Sequence, residues 1–179
     1  NHQGVIAYLS SIEYQKIEEI IPYIYESGKT PFILILDQIT DVRNFGAICR
    51  TAECAGVDAI IVPDKGAAPI NADSIKTSAG ALHIVPVCRT QNMANTIKYL
   101  KMSGISVYAI TEKTESIYYG CDMNIPLALI IGSEDTGIAP ILLKEADSFL
   151  KIPLMGKISS LNASVAASIL MYEVVKQRN

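Results

Sequence analysis

The sequence has little histidine and no paired cysteines. Its two histidines are His2 and His83, and its four cysteines, Cys49, Cys54, Cys88 and Cys121, include no Cys-x-x-Cys pair. That scarcity argues against a zinc site and leaves reduced thiols in a cytosolic protein as the simpler reading. His2 lies in a terminal stretch and His83 borders an expected strand, so no Ser–His–acid set can be assembled and hydrolase chemistry of that kind is unsupported. There is no Gly-x-Gly-x-x-Gly, which removes a dinucleotide site of the usual Rossmann kind. Gly132 and Gly137 imitate the glycine spacing of a phosphate-binding loop, but Ile138-Ala139 stands where Lys-Ser/Thr is required. Charged residues are few, at 18%, and the net charge is −3 with a pI near 5.4. A free-standing, non-specific nucleic-acid binder usually has a basic balance, so that class is disfavoured, although a local basic patch is not. No apolar run is long enough to span a membrane, no signal peptide is visible, and there is no internal repeat.

What the chain does have is hydrophobic mass. Half of its 179 residues are hydrophobic and the mean hydropathy is +0.28. That length makes about one domain, with apolar surface to spare for self-association. FILIL (32–36) and AIIVP (59–63) are continuous apolar runs of buried parallel-strand type. Further strands are expected at 84–87, 105–110, 127–132 and 149–153. Helices are expected at 11–21, 46–55, 72–81, 92–102, 140–145 and 160–176, and an edge strand or extended linker at 4–9. Ser10 and Glu13 have capping-box spacing for the first helix. Strands alternating with helices predict an α/β fold with a mostly parallel sheet flanked by helices.

In such sheets, ligands gather beyond the carboxyl ends of the strands. Three loops there are unusual. In 39–56, Asp41, Arg43, Asn44 and Gly46 lead into a helix that carries Arg50, a candidate for holding a phosphate or an alkoxide. In 127–140, an apolar strand runs into Gly132-Ser133-Glu134-Asp135-Thr136-Gly137; locally, Glu134 could simply cap the following turn. In 151–168, a short strand passes through Gly156 into a helix whose first turns are small and polar. Ser159, Ser160, Asn162 and Ser164 are mediocre helix-interior residues, and their clustering at a helix start gathers side-chain and backbone donors in one place. Ser160 is the expected cap. The residue types that remain, Asn, Ser, Gly and one Arg, suit a polar small molecule held mostly by backbone groups.

Taken together, NFGAICRTAECAGVDAIIVP (44–63), IIGSEDTGI (130–138) and IPLMGKISSLNASVAAS (152–168) resemble the three motifs of the SpoU family of RNA ribose 2′-O-methyltransferases. KTSAGAL (76–82) also looks like the family. The resemblance covers about residues 32–175, with the motifs in order and at the right separations. Val42 departs from a common Pro and Asp135 from a common Gly, both changes of loop shape.

The resemblance implies a sheet whose C-terminal part is threaded into a deep trefoil knot, a homodimer, and S-adenosylmethionine held in the knot loops. It implies cofactor contacts at Gly132, Ile152 and Leu161, with Thr111 near the adenine. It assigns catalysis and substrate binding to Asn44, Arg50, Glu134, Ser160 and Asn162, with no metal and no membrane. The opening NHQGVIA resembles the linker after a small RNA-binding domain in bacterial 23S rRNA guanosine methyltransferases. Residues 1–30 are therefore expected to be a linker and extension, residues 31–179 the methyltransferase domain, and the chain, which opens on Asn1, a piece with something missing in front. The implied substrate is a guanosine of 23S rRNA. A tRNA substrate, a resistance-type enzyme acting on adenosine, and a catalytically silent dimeric RNA-binding module remain as alternatives. As for mechanism, a neutral guanidinium base would cost roughly 7–9 kcal/mol at pH 7, from a reference pKa of about 12.5–13.8. Stabilising the developing alkoxide as a cation is cheaper, and that is the role expected of Arg50.

Overall fold

The computed structural model of the protein describes residues 12–179. Its strands are β1 (Phe32–Leu36), β2 (Ala59–Pro63), β3 (Val87–Thr90), β4 (Ser106–Ile110), β5 (Leu127–Ile131) and β6 (Ser148–Leu150). Its helices are α1 (Ile17–Glu26), α2 (Val42–Cys54), α3 (Ala72–Thr77), α4 (Met93–Met102), α5 (Pro140–Glu145) and α6 (Ala163–Arg178). The strands form one sheet in the order β3-β2-β1-β5-β4-β6, and every neighbouring pair is parallel. The expected parallel α/β sheet is therefore present. All five residues of β1 and of β5 are buried, because helices cover both faces.

Side chains alternate between those faces. Phe32, Leu34 and Leu36 pack on one side with Phe45 and Ile48 of α2 and with Leu170, Met171 and Val174 of α6. Ile33 and Ile35 face the other side, with α1, α4 and Leu142 of α5. α1 buries Ile17, Ile20, Ile21 and Ile24 there, each worth about 1.5–3 kcal/mol over exposure. Part of the 1–30 segment thus belongs to the sheet's core. On the first face, α2 and α3 approach closely at Gly46, where a Cβ would lie 2.7 Å from Thr77 Cβ and 2.9 Å from the Ser74 carbonyl oxygen.

The first helix runs over Ile17–Glu26, not 11–21, and continues through an exposed Pro22. Its isoleucine stripe extends to Ile24, and burying that stripe outweighs the missing hydrogen bond. The Ser10 cap and the 4–9 strand fall outside the described residues. β3 is Val87–Thr90 rather than 84–87: Pro86 interrupts the apolar run, and an edge strand tolerates an exposed Arg89. The helix expected over 72–81 stops at Thr77, and Ala81–His83 form a separate 3₁₀ turn. β6 is also displaced, to Ser148–Leu150 from 149–153.

The chain steps outward from β1 to β2 to β3, crosses to β4, and only then fills the place beside β1 with β5. Strand order therefore reverses at the β1–β5 boundary, the position where open α/β sheets open a crevice. At the opposite end of the sheet, Arg178 donates to the carbonyls of Thr30, Pro31, Met123 and Ile125 at 2.7–3.3 Å. Burial lowers its pKa, opposed by the charge of Asp58. Among the described residues, no helix is long and apolar enough to cross a membrane.

Candidate active site

A cleft of about 420 Å³ opens beyond the carboxyl ends of β4 and β5. Ile110 and Thr111 continue from β4, Ile131 and Gly132 from β5, and Ile152 follows β6. Segments 132–138 and 159–161 close over them. The loop after β5 folds back on itself, with the Gly137 N–H donating to the Ser133 carbonyl at 3.0 Å and the Ser133 and Thr136 hydroxyls bonded at 2.8 Å. Gly132 is the hinge of that fold: a Cβ there would overlap the Gly137 carbonyl carbon and the Ile138 nitrogen. Glycine is required at this position by close approach of backbone to backbone.

Beside the cleft stands a hydrogen-bonded cluster from three separated segments. Glu134 Oε1 accepts from Asn44 Nδ2 at 2.8 Å, Asn162 Nδ2 at 2.7 Å and the Ala163 N–H at 3.0 Å. Asn162 Nδ2 also donates to Asn44 Oδ1 at 2.9 Å. Asn162 Oδ1 in turn accepts from the backbone N–H groups of Ser164 and Val165 and from the Ser164 hydroxyl. One carboxylate oxygen and one carboxamide thus serve two purposes: they cap α6 and they fix the orientation of both asparagines. Glu134 Oε2 carries no protein donor among the described residues.

Two expectations about local structure are corrected here. The cap of α6 is Asn162, not Ser160, and the helix begins at Ala163. An Asn Oδ1 reaching two backbone N–H groups holds the helix start, while Ser160 stays exposed in the loop that lines the cleft. Likewise α2 begins at Val42, because the Asp41 carboxylate accepts the Asn44 N–H at 2.7 Å. Asn44 therefore sits inside the first helical turn, and Arg50 lies well along the helix.

Of the residues expected to form the site, Gly132, Ile152, Leu161, Thr111, Glu134 and Ser160 all line the cleft. Asn44 and Asn162 join it through Glu134. Arg50 does not line it; it is exposed on α2 and makes no ion pair or hydrogen bond among the described residues. The apolar wall from Ile138, Leu143, Ala163 and Ala166 carries no signal that separates it from ordinary core. Asp37 was also missed, although a lone carboxylate ending the run FILIL was a usable signal. Its carboxylate accepts the Ala139 N–H at 2.7 Å, which anchors the loop after β5, and burial raises its pKa. Among the described residues, no group of three or more His, Cys, Asp and Glu side chains is placed to hold a metal.

A parallel sheet with a glycine-walled cleft beyond the carboxyl ends of β4 and β5, bordered by an Asn–Glu–Asn cluster, defines an α/β ligand-binding domain with the polar groups of an enzyme. Residues 31–172 match the model of the SpoU rRNA Methylase family, and the chain belongs to that family. YacO of Bacillus subtilis, named for the TrmH family of tRNA/rRNA methyltransferases, is 39% identical over 178 residues, covering 99% of this chain and 72% of YacO. Among solved structures, the AdoMet-bound rRNA methyltransferase of Sinorhizobium meliloti superposes with a TM-score of 0.82 at 26% identity over 92% of this chain. The TrmH/SpoU tRNA-modifying enzyme of A. aeolicus superposes with a TM-score of 0.76 at 27% identity over 90% of this chain. The chain spans 61% of the first of these structures and 84% of the second.

Proposed function

We propose that the protein transfers a methyl group from S-adenosylmethionine to a ribose 2′-hydroxyl of RNA. The observation that carries this reading is the convergence on Glu134 Oε1 of Asn44, Asn162 and the α6 start beside the cleft. The cleft suits the cofactor. Its volume of about 420 Å³ lies within the roughly 300–1,000 Å³ of small-molecule sites. The folded loop at Gly132 lines the cleft, and Thr111, Ile152 and Leu161 would complete the contact. When bound, S-adenosylmethionine supplies an electrophilic methyl on a sulfonium, so alignment and proton removal are the protein's tasks.

Asn44 and Asn162, held rigid by Glu134, orient the ribose, and Ser160 stands where the loop meets substrate and cofactor. Arg50 remains a cation throughout and stabilises negative charge developing on the 2′-oxygen, and the proton that oxygen loses passes to water. Among the described residues no carboxylate pairs with it. Arg50→Ala is expected to abolish methylation while S-adenosylmethionine binding, read by calorimetry, survives. Near-wild-type turnover in that variant would overturn the assignment.

A guanosine of 23S rRNA is the first reading of the substrate, supported by the likeness to the S. meliloti rRNA methyltransferase, and the likeness to the A. aeolicus tRNA-modifying enzyme supports tRNA as the second. Labelled methyl transfer to each purified RNA separates the two. The protein acts as a homodimer in this reading. Leu154, Met155 and Ile158 leave the cleft loop exposed, Met155 at 97% and Ile158 at 80%, and a second copy would cover them. We also infer the trefoil threading of the C-terminal part. It is supported by the return of the chain from β6 at the sheet edge, across the carboxyl ends, to pack α6 against α2.

A further inference from the structure

We propose that the exposed face of α2 is a track for the RNA sugar–phosphate backbone, and that Arg43 is its anchoring contact. The proposal rests on the RNA-methyltransferase reading for the identity of its partner. Its starting point is how the fifteen lysines and arginines are used. Six of them, Lys29, Arg89, Lys98, Lys101, Lys151 and Lys176, form ion pairs with carboxylates. Arg178 is committed to backbone carbonyls. The other eight, Lys16, Arg43, Arg50, Lys65, Lys76, Lys113, Lys144 and Lys157, are exposed and have no side-chain ion pair or hydrogen bond among the described residues, and Arg43 and Arg50 are the two arginines of that set and share one helix.

Their spacing puts them in one line. Seven residues of α-helix turn the side chain through about 700°, so the two guanidiniums leave α2 within about 20° of each other, roughly 10 Å apart along the axis. Ala47 lies between them on the same stripe. The nearby carboxylates do not neutralise it. Asp41 is bonded to the Asn44 N–H, and Glu53, three residues beyond Arg50 and turned about 60° from it, forms no ion pair with it among the described residues.

Arg43 is also placed where helix electrostatics disfavour it. It lies in the first turn of α2, which has no acidic residue beyond the Asp41 cap, and a cation beside the positive end of a helix is unfavourably placed. A phosphate bound there would reverse that sign, since the guanidinium and the helix end would then act together. The next residue, Asn44, is bonded to Glu134, so a strand held along this stripe runs directly past the reacting site. The acidic overall balance is compatible with such a track. Glu18 and Glu19 ride on α1, which packs on the opposite face of the sheet from α2.

The test uses the whole chain and a fluorescein-labelled poly(U) strand, because phosphate contacts are independent of sequence. Affinity is measured by anisotropy across a salt series. Arg43→Gln is expected to weaken binding at low salt and to reduce the slope of log K against log[salt] by about 0.7, one single-strand phosphate contact. Arg43→Lys keeps the slope, and Lys98→Gln, on the other face, leaves it unchanged. S-adenosylmethionine affinity is the same in all of them. A slope unaltered by Arg43→Gln, or no binding of poly(U) by the wild-type protein at the lowest salt, overturns the track. Failure of the wild-type protein to bind S-adenosylmethionine would instead remove the methyltransferase reading and leave the slope result standing on its own.

Discussion

The carboxylate of Asp37, at the end of β1, accepts a hydrogen bond from the backbone N–H of Ala139, 102 residues further along the chain. The Asp37 N–H donates to the Ile131 carbonyl, so this residue closes the β1–β5 ladder and then grips the loop that leaves β5. Gln38, at φ +57°, turns the chain away immediately afterwards. That loop walls the cleft, which makes Asp37 a positioning residue that acts through backbone rather than by touching a ligand.

Asp37→Ala should therefore release the 132–139 loop and weaken S-adenosylmethionine at least tenfold by calorimetry, at temperatures where circular dichroism shows the variant folded. Asp37→Asn retains an oxygen acceptor for Ala139 and should bind within about threefold of wild type, a difference of roughly 0.7 kcal/mol. Equal affinity for Asp37→Ala and wild type would show that the loop holds itself.

The same carboxylate predicts a pH dependence of stability. Burial raises its pKa, against the lowering effect of the Ala139 N–H and the Gln38 side chain. The folded state therefore holds the proton to a higher pH than the unfolded chain does. The associated stability is complete below the unfolded value, about 3.9, and is lost as pH rises through the folded value. Asp37→Asn lacks this titration, so its urea midpoint should decline less than that of wild type as pH rises from about 4 to about 7. Parallel midpoint curves for the two proteins would refute the assignment.

Asn162 separates capping from site geometry. Asn162→Ala loses both and should cost about 0.5–2 kcal/mol of stability, the usual worth of a helix cap. Asn162→Ser keeps a capping oxygen for the Ser164 and Val165 N–H groups but has no amide to donate to Glu134 and Asn44. Its melting temperature should stay near that of wild type while methyl transfer falls by a hundredfold or more. A fully active Asn162→Ser would reduce the Asn–Glu–Asn cluster to a structural role.

The four cysteines should divide cleanly in a thiol-labelling time course. Cys54 is exposed and Cys121 partly so, whereas Cys49 and Cys88 are buried. Burial drives the Cys49 thiol far up and that of Cys88 up to about 12, the latter helped by the charge of Glu18. Native protein should label first at Cys54 and then at Cys121, with Cys49 and Cys88 reacting only on unfolding. Peptide mass spectrometry reads the order directly, and early labelling of Cys88 would contradict this packing.

The sequence disclosed its central strands because FILIL, AIIVP and LALII are continuous apolar runs that the two helical layers bury. It was less informative at the edges. There, β3 admits Arg89 and β6 is three residues long, so turn chemistry and pairing decide the limits rather than hydrophobicity. α1 was misplaced because Pro22 reads as a stop, although the isoleucine stripe runs on to Ile24. The family resemblance was enough to name the Glu134 cluster and six residues that line the cleft, but not its apolar wall. Local pattern could not show that Asn162 rather than Ser160 caps α6, since both are good caps and only the partner 28 residues away, Glu134, distinguishes them. The carboxylate that ends FILIL marks Asp37 as unusual, but its role depends on a contact across 102 residues that local pattern does not show.

The late arrival of β5 has a consequence for biosynthesis. Until Leu127–Ile131 has left the ribosome, β1 and β4 have no common neighbour, and the growing chain presents FILIL as an open, wholly apolar edge. Truncated products ending before Leu127 should accordingly be sticky and prone to aggregation, and nascent chains of that length are natural clients for chaperones that shield bare strands.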